Sequence, residues 1–206
     1  MNEELKELLE QAAELYYKYG IRSVTMDDIA RKMGMSKKTL YQYVVNKEDL
    51  VQKVADHVVD CAGEFLTDLK KQQLSALDEM VYVHQFVISG IKEENPNVEF
   101  DLQKYYPKLY KHVVSVRRER MYDFLVQNME KGMKEKVYRD DLDTDIVARL
   151  FIARVDTFMH NDMFSFEEVI SEQFFNQVFS YHTHALCNSK GLAYYEQKIK
   201  DNNEKD

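Results

Sequence analysis

The chain has no tryptophan, two prolines, six glycines and two cysteines among its 206 residues. Two cysteines exclude a disulfide-stapled scaffold, and Cys61 and Cys187, far apart on apolar helical faces, read as reduced and buried. With so few breakers, and no proline before Pro96, a turn-rich β architecture is excluded. Long runs of Glu, Lys, Leu, Met and Ala are left free to form helices. No apolar run reaches the roughly eighteen residues that a membrane span needs. The acidic start lacks the basic-then-apolar pattern of a signal peptide, so a cytoplasmic chain with no membrane partner is expected.

Catalytic signatures are missing too. There is no glycine-rich phosphate loop and no nucleophile elbow. The acid pairs Glu93–Glu94, Asp140–Asp141 and Glu167–Glu168 read as helix-end charges or solvated faces, not as a general acid and base. His182 and His184 are two apart and point to different helix faces, and His84 and His112 fall on separate predicted helices without ligand-spaced partners. No metal, no cofactor and no enzymatic activity are expected. With 31% charged and 45% hydrophobic residues, the composition is that of an all-α globular protein.

What the chain does have is concentrated between Thr25 and Lys47. Thr25, with Asp28 three residues on, is a capping-box variant that opens one short helix, and Ser36 caps a second. Ile29, Ala30 and Met33 give the first helix one apolar stripe; Leu40 and Val44 give the second its inward side. Gly34 supplies the turn, where a side chain would hinder a positive φ or a close helix approach. This is a helix-turn-helix pattern, whose second helix enters the DNA major groove.

The outward side of that second helix carries Lys37, Lys38, Thr39, Tyr41, Gln42 and Tyr43, followed by Lys47. Five basic side chains and no acid lie between Ile29 and Lys47, in a chain of net charge −8. Local positive charge on an acidic protein suits phosphate contact, which supplies most non-specific DNA affinity. Lysines and tyrosine hydroxyls suit phosphate oxygens, while a Gln or Thr can reach base edges. Arg31 or Lys32 taken alone reads as part of a solvated face. The candidate DNA-binding set is Thr25, Ser36, Lys37, Lys38, Thr39, Tyr41, Gln42, Tyr43 and Lys47.

The rest of the chain reads as a series of amphipathic helices. A first helix over about Glu3–Tyr19 turns Leu5, Leu8, Leu9, Ala12, Ala13, Leu15 and Tyr16 inward and stops at Gly20. Asn46 caps a long connector with Leu50, Val54, Val58, Cys61, Phe65 and Leu69 on one stripe. Further helices are expected from Ser75 to about Lys92, from Pro107 to about Lys131 with a stop near Gly132, over Thr144–His160, and over Phe166–Cys187. Asn95–Pro96–Asn97 should break the chain before a short aromatic segment from Phe100 to Tyr106. This gives a DNA-binding head over 1–47, a body over 48–190 that begins with the connector, and a flexible tail over 191–206.

Residues 9 to 56 resemble the DNA-binding domain of the TetR family of transcriptional regulators. The carrying residues are Ala12-Ala13-Glu14-Leu15-Tyr16, Gly20, Thr25-Met26-Asp27-Asp28-Ile29-Ala30, Gly34-Met35-Ser36-Lys37-Lys38-Thr39-Leu40-Tyr41 and Asn46-Lys47-Glu48-Asp49-Leu50. The resemblance implies that Tyr41, Tyr43 and Lys47 bind operator phosphates, and that Lys37, Lys38, Thr39 and Gln42 sit where bases and backbone are read. One departure is Val44-Val45, which replaces a possible polar contact but keeps the helix packing.

The resemblance also implies a TetR-like body that binds a small ligand and dimerises. On the last long helix, Ile170, Phe174, Val178, Tyr181 and Ala185 form one line, and Phe175, Phe179, His182 and Leu186 an adjoining one. That arc is wider than one core face needs, so Ile170, Phe174, Phe175, Val178, Phe179, His182 and Leu186, with Phe151, are the candidate dimer interface of a homodimer; a wide buried helix in a monomer is the alternative reading. Phe65, Tyr82, Phe86, Phe100, Tyr105, Tyr106, Tyr110, Phe124 and Phe158 are candidate pocket residues for an amphipathic or aromatic effector; core filling is the alternative reading for each. A body that binds a protein partner instead is the second functional reading.

Overall fold

The computed structural model describes residues 3–91, 96–158 and 163–203, and they are all-α. The helices are α1 Glu3–Tyr19, α2 Met26–Lys32, α3 Lys37–Leu40, α4 Lys47–Lys71, α5 Ala76–Ile91, α6 Pro96–Tyr105, α7 Pro107–Lys134, α8 Thr144–Phe158, α9 Phe166–Val169, α10 Glu172–Leu186 and α11 Ser189–Asn203. The expected acid pair Glu93–Glu94, the break at Asn95 and the last turn to His160 lie outside the described residues.

The chain packs as two compact units. The first joins Met1–Glu64 to Glu93–Arg117. Its core is aliphatic: Leu8, Leu9 and Ala12 of α1, Ile29 and Ala30 of α2, Leu40 of α3 and Leu50, Val51 and Val54 of α4 are all buried, and Val98 and Leu102 of α6 pack against them. Each buried Leu, Ile or Val stabilises the fold by about 1.5–3 kcal/mol relative to exposure, and each Ala by less. α1 ends as its pattern predicts, with Gly20 at φ 83° and its N–H on the Tyr16 carbonyl at 2.8 Å. Cys61 on α4 is exposed, contrary to the expected burial, whereas Cys187 is buried; both are free thiols.

The second unit holds Phe65–Lys92 and Arg118–Asp206. Its core contains Leu69, Leu77, Met80, Leu125, Met129, Tyr138 and Leu186, together with a buried polar network. Asn128 of α7 donates to the Ala76 carbonyl at 2.8 Å and to Glu79 at 3.1 Å, and accepts from the Tyr138 hydroxyl at 2.9 Å. Lys131 pairs with Glu79 at 2.7 Å, and Glu135 accepts the first amide of α5, that of Ala76, at 2.9 Å. The start of α5 is thus held by Glu135, just past the end of α7, and by Asn128 of α7, as a buried helix end requires.

Three expectations are corrected here. α7 does not stop at Gly132 but continues to Lys134, with Lys136 as the left-handed residue (φ 59°). Gly132 is required instead because a Cβ there would meet the Tyr138 ring at 2.1 Å. The helix expected over Phe166–Cys187 is two, because the Ser171 hydroxyl accepts the Phe174 amide at 3.2 Å and starts α10 anew. The expected flexible tail is largely α11: Tyr195 is buried, and Tyr194 and Lys198 both bond Asp78 of α5.

Candidate nucleic-acid interface

The helix-turn-helix is built by local hydrogen bonds. The Thr25 hydroxyl accepts the Asp28 amide at 3.2 Å while Asp28 accepts the Thr25 amide at 2.9 Å, a complete capping box. The Thr25 hydroxyl, which also donates to the Asp28 carboxylate at 2.6 Å, and the Thr25 amide hold that carboxyl below the usual carboxylate range. Gly34 turns the chain at φ 64° with open space around it, so backbone conformation, not crowding, requires the glycine. Ser36 then accepts the Thr39 amide at 3.1 Å and opens α3. The regular helix ends at Leu40; Gln42 and Tyr43 follow in tighter turns, bonding the Thr39 and Leu40 carbonyls at 3.0 Å each.

Thr25, Ser36, Lys37, Lys38, Tyr41 and Gln42 are exposed, and Thr39, Tyr43 and Lys47 are half-buried. Several already have partners within the chain. Lys37 pairs with Asp27 at 3.0 Å, which raises its pKa. Tyr43 donates to Glu4 of α1. Lys47 donates to the Arg22 carbonyl at 3.2 Å; burial lowers its pKa, and Asp101 and Asp28 work in the opposite direction. The sequence reading missed Arg22, an exposed cation next to Lys47, although its place two residues after Gly20 was a local signal. Asp101 beneath it could not be found locally, being 79 residues away in sequence.

The candidate pocket residues are divided between the two units. Phe100, Tyr105, Tyr106 and Tyr110 belong to the first unit and Phe65, Tyr82, Phe86, Phe124 and Phe158 to the second. Phe100 and Tyr105 are exposed and carry Lys104 over their rings, with Arg22 also over Tyr105. In the second unit Phe65 stacks on Phe86 at 4.1 Å, Phe124 is buried in the core, and Phe158 meets Phe164 and Phe174 edge-on.

The candidate dimer residues divide differently. His182 and Leu186 are buried inside the chain and so are withdrawn from any surface: Leu186 fills the core, and His182 sits against Phe151 at 4.4 Å. Phe179 stacks on His84 at 4.0 Å, while Phe151, Ile170, Phe174, Phe175 and Val178 are half-buried. The outward apolar side chains of α8 and α10 are Ile146 (49% exposed), Leu150 (64%) and Tyr181 (64%). Ile146 and Leu150 are four apart, a spacing visible in the sequence but passed over in favour of aromatics.

Known proteins agree with this geometry. The profile of "Bacterial regulatory proteins, tetR family" matches residues 8–54. The HTH-type transcriptional repressor KstR2 of Mycobacterium tuberculosis is 24% identical over 152 residues, covering 72% of this chain and 76% of its own. An uncharacterized HTH-type transcriptional regulator of Bacillus subtilis, YvaF, is 31% identical over 87 residues, covering 41% of this chain and 45% of its own. A transcriptional regulator from Cytophaga hutchinsonii shares the fold with a TM-score of 0.71 at 14% identity, over 91% of this chain and 100% of its own. Two capped helices around Gly34 and the matched profile agree: residues 8–54 are a DNA-binding domain of the tetR-family type, and the chain is a DNA-binding regulator similar to the TetR-family proteins.

Proposed function

We propose that the protein is a homodimeric repressor that reads a palindromic operator and is released by a small amphipathic or aromatic molecule bound in the body. The observation that carries the DNA-reading part is the exposed set Ser36, Lys37, Lys38, Tyr41 and Gln42 on and just after α3, next to Thr25 and Lys47. In this reading Lys47, Tyr41 and Tyr43 hold phosphates, and Gln42 and Thr39 reach base edges. KstR2 carries the word repressor in its name, which favours repression over activation.

One helix-turn-helix contacts too little DNA for a specific regulator, and two related by a two-fold axis read half-sites about 34 Å apart. The outward Ile146, Leu150 and Tyr181 support a second copy on α8 and α10. The Phe65–Phe86 stack and the Phe158–Phe164–Phe174 cluster support an aromatic effector in the second unit. α4 begins at Lys47 and also carries Phe65, so a tilt of this helix would link effector to operator. DNA affinity then falls by the effector's differential affinity for the two states and no further. The exposed Tyr82, Phe86 and Val87 on α5 favour a second reading, a protein partner on the body.

Selection of bound duplexes from a random library, followed by sequencing, tests the operator. A palindrome of fixed half-site spacing is the expected result; enrichment without a shared motif would leave phosphate binding alone. Sedimentation tests the assembly. Wild type should run as a dimer and Leu150→Glu as a monomer that binds the selected duplex at least about tenfold more weakly, because one head remains. An unchanged dimer would move the interface away from α8 and α10.

A further inference from the structure

We infer that Asp101 of α6 is a positioning residue for DNA binding: it fixes the Gly20–Arg22 turn, and the carbonyl of that turn in turn holds the Lys47 side chain. The inference rests on reading Lys47 as a phosphate contact.

Asp101 is 6% exposed, and its carboxylate accepts the Arg22 amide at 2.8 Å. A buried carboxylate costs free energy unless it is hydrogen-bonded, and an aliphatic residue would fill the same place more cheaply. The carboxylate therefore has a role that packing does not explain. Its neighbours on α6 address the same turn. A Cβ on Gly20 would lie 3.3 Å from the Asn97 Cβ and 3.5 Å from the Asp101 oxygen. The Arg22 guanidinium donates to the Tyr105 hydroxyl at 2.5 Å and lies over its ring at 5.0 Å. Asn97, Asp101 and Tyr105 are spaced by four, so one stripe of α6 seats the whole turn.

The turn then acts on Lys47. With the Arg22 amide held by Asp101 and Gly20 committed to a positive φ, the next peptide has little freedom, and its carbonyl accepts the Lys47 ammonium at 3.2 Å. One of three ammonium hydrogens is used in this way, which leaves two for a phosphate. Asp101 also supplies negative charge that favours the protonated form of this half-buried lysine. A shift of α6 that breaks the Asp101 bond would thus release the DNA-contacting lysine without touching α3.

The test is the salt dependence of binding to a fluorescein-labelled duplex bearing the selected site, or to a mixed-sequence duplex of the same length if no site emerges. Lys47→Ala should lower affinity and flatten the log–log salt slope by about 0.9. Asp101→Ala should lower affinity several-fold and flatten the slope by most of the same amount, and should add nothing in the Lys47→Ala background. Asp101→Asn, which keeps an acceptor for the Arg22 amide, should restore most of the affinity. If the alanine variant does not fold, Asp101→Ser, too short to reach that amide, takes its place. An Asp101 variant with an unchanged slope, or losses that add to those of Lys47→Ala, would make Asp101 merely structural and overturn the proposal. An unchanged slope in Lys47→Ala itself would instead remove the phosphate reading, and the proposal with it.

Discussion

The interior of the first unit is built mainly from Leu, Ile, Val and Ala on α1 to α4, of which α2 and α3 are short and capped, and its buried polar side chains, His57 and Asp101, lie on α4 and α6. The second unit places Asn128, Glu79, His182 and Thr183 among long helices and binds them, where they are bound, to helix ends. Aliphatic burial is non-directional and indifferent to pH. Buried polar groups are directional, and each one left without a partner costs about 1–3 kcal/mol. The head is thus specified by local caps and shape, whereas the body is specified by pairings that a change in pH or side chain can undo. If the body binds an effector as proposed, this division would let the reading surface stay constant while the body responds.

The largest expected effect is Gly191→Ala. A Cβ there would meet the Val137 carbonyl oxygen at 2.0 Å, so backbone must move. A loss of about 3 kcal/mol is expected in denaturant unfolding. Amide exchange should accelerate in α10 and α11 while α1–α3 stay protected. Equal acceleration in both units would erase the contrast between them.

His182 gives an effect of nearly the same size that depends on pH. Burial, with Arg154 nearby, pushes its pKa down to about 4 from the ordinary 6.5. Below 6.5 the unfolded chain takes up the proton that the folded imidazole refuses, so stability is complete above that pH and is lost as pH falls toward 4. The full loss is about 3 kcal/mol, and His182→Gln should flatten this limb of the stability–pH curve. An unchanged limb would assign the acid sensitivity elsewhere.

The smallest effect belongs to the head. Thr25→Ala removes both hydroxyl bonds to Asp28 and should cost about 1 kcal/mol, equally at pH 5 and pH 8. A loss that grew toward acid would show that the head, too, depends on titratable pairing.

What could be read in the sequence follows the range of the forces involved. Thr25, Ser36 and Gly20 were legible because a cap or a left-handed stop is settled within four residues. The Ser171 cap was legible in principle, but the apolar line from Ile170 to Val178 hid it. Gly132 was misread as a stop because its partner, Tyr138, folds back onto it. The Asp101–Arg22 bond, and α11 tied to Asp78 across 120 residues, leave no local trace. The inward turn of His182 and Leu186 depended on which side of α10 meets the core, and periodicity alone gives the line without its direction.

Lys37 carries its own counterion. Its ammonium rests on Asp27 at 3.0 Å, with both side chains at the surface. A phosphate that captures Lys37 must displace a carboxylate, which then gathers a cation from solution. The contact exchanges one pairing for another and liberates little net salt. If Lys37 is such a contact, the slope of affinity against ionic strength will undercount the phosphates held, and this lysine's contact should persist at salt concentrations that weaken an unpaired one.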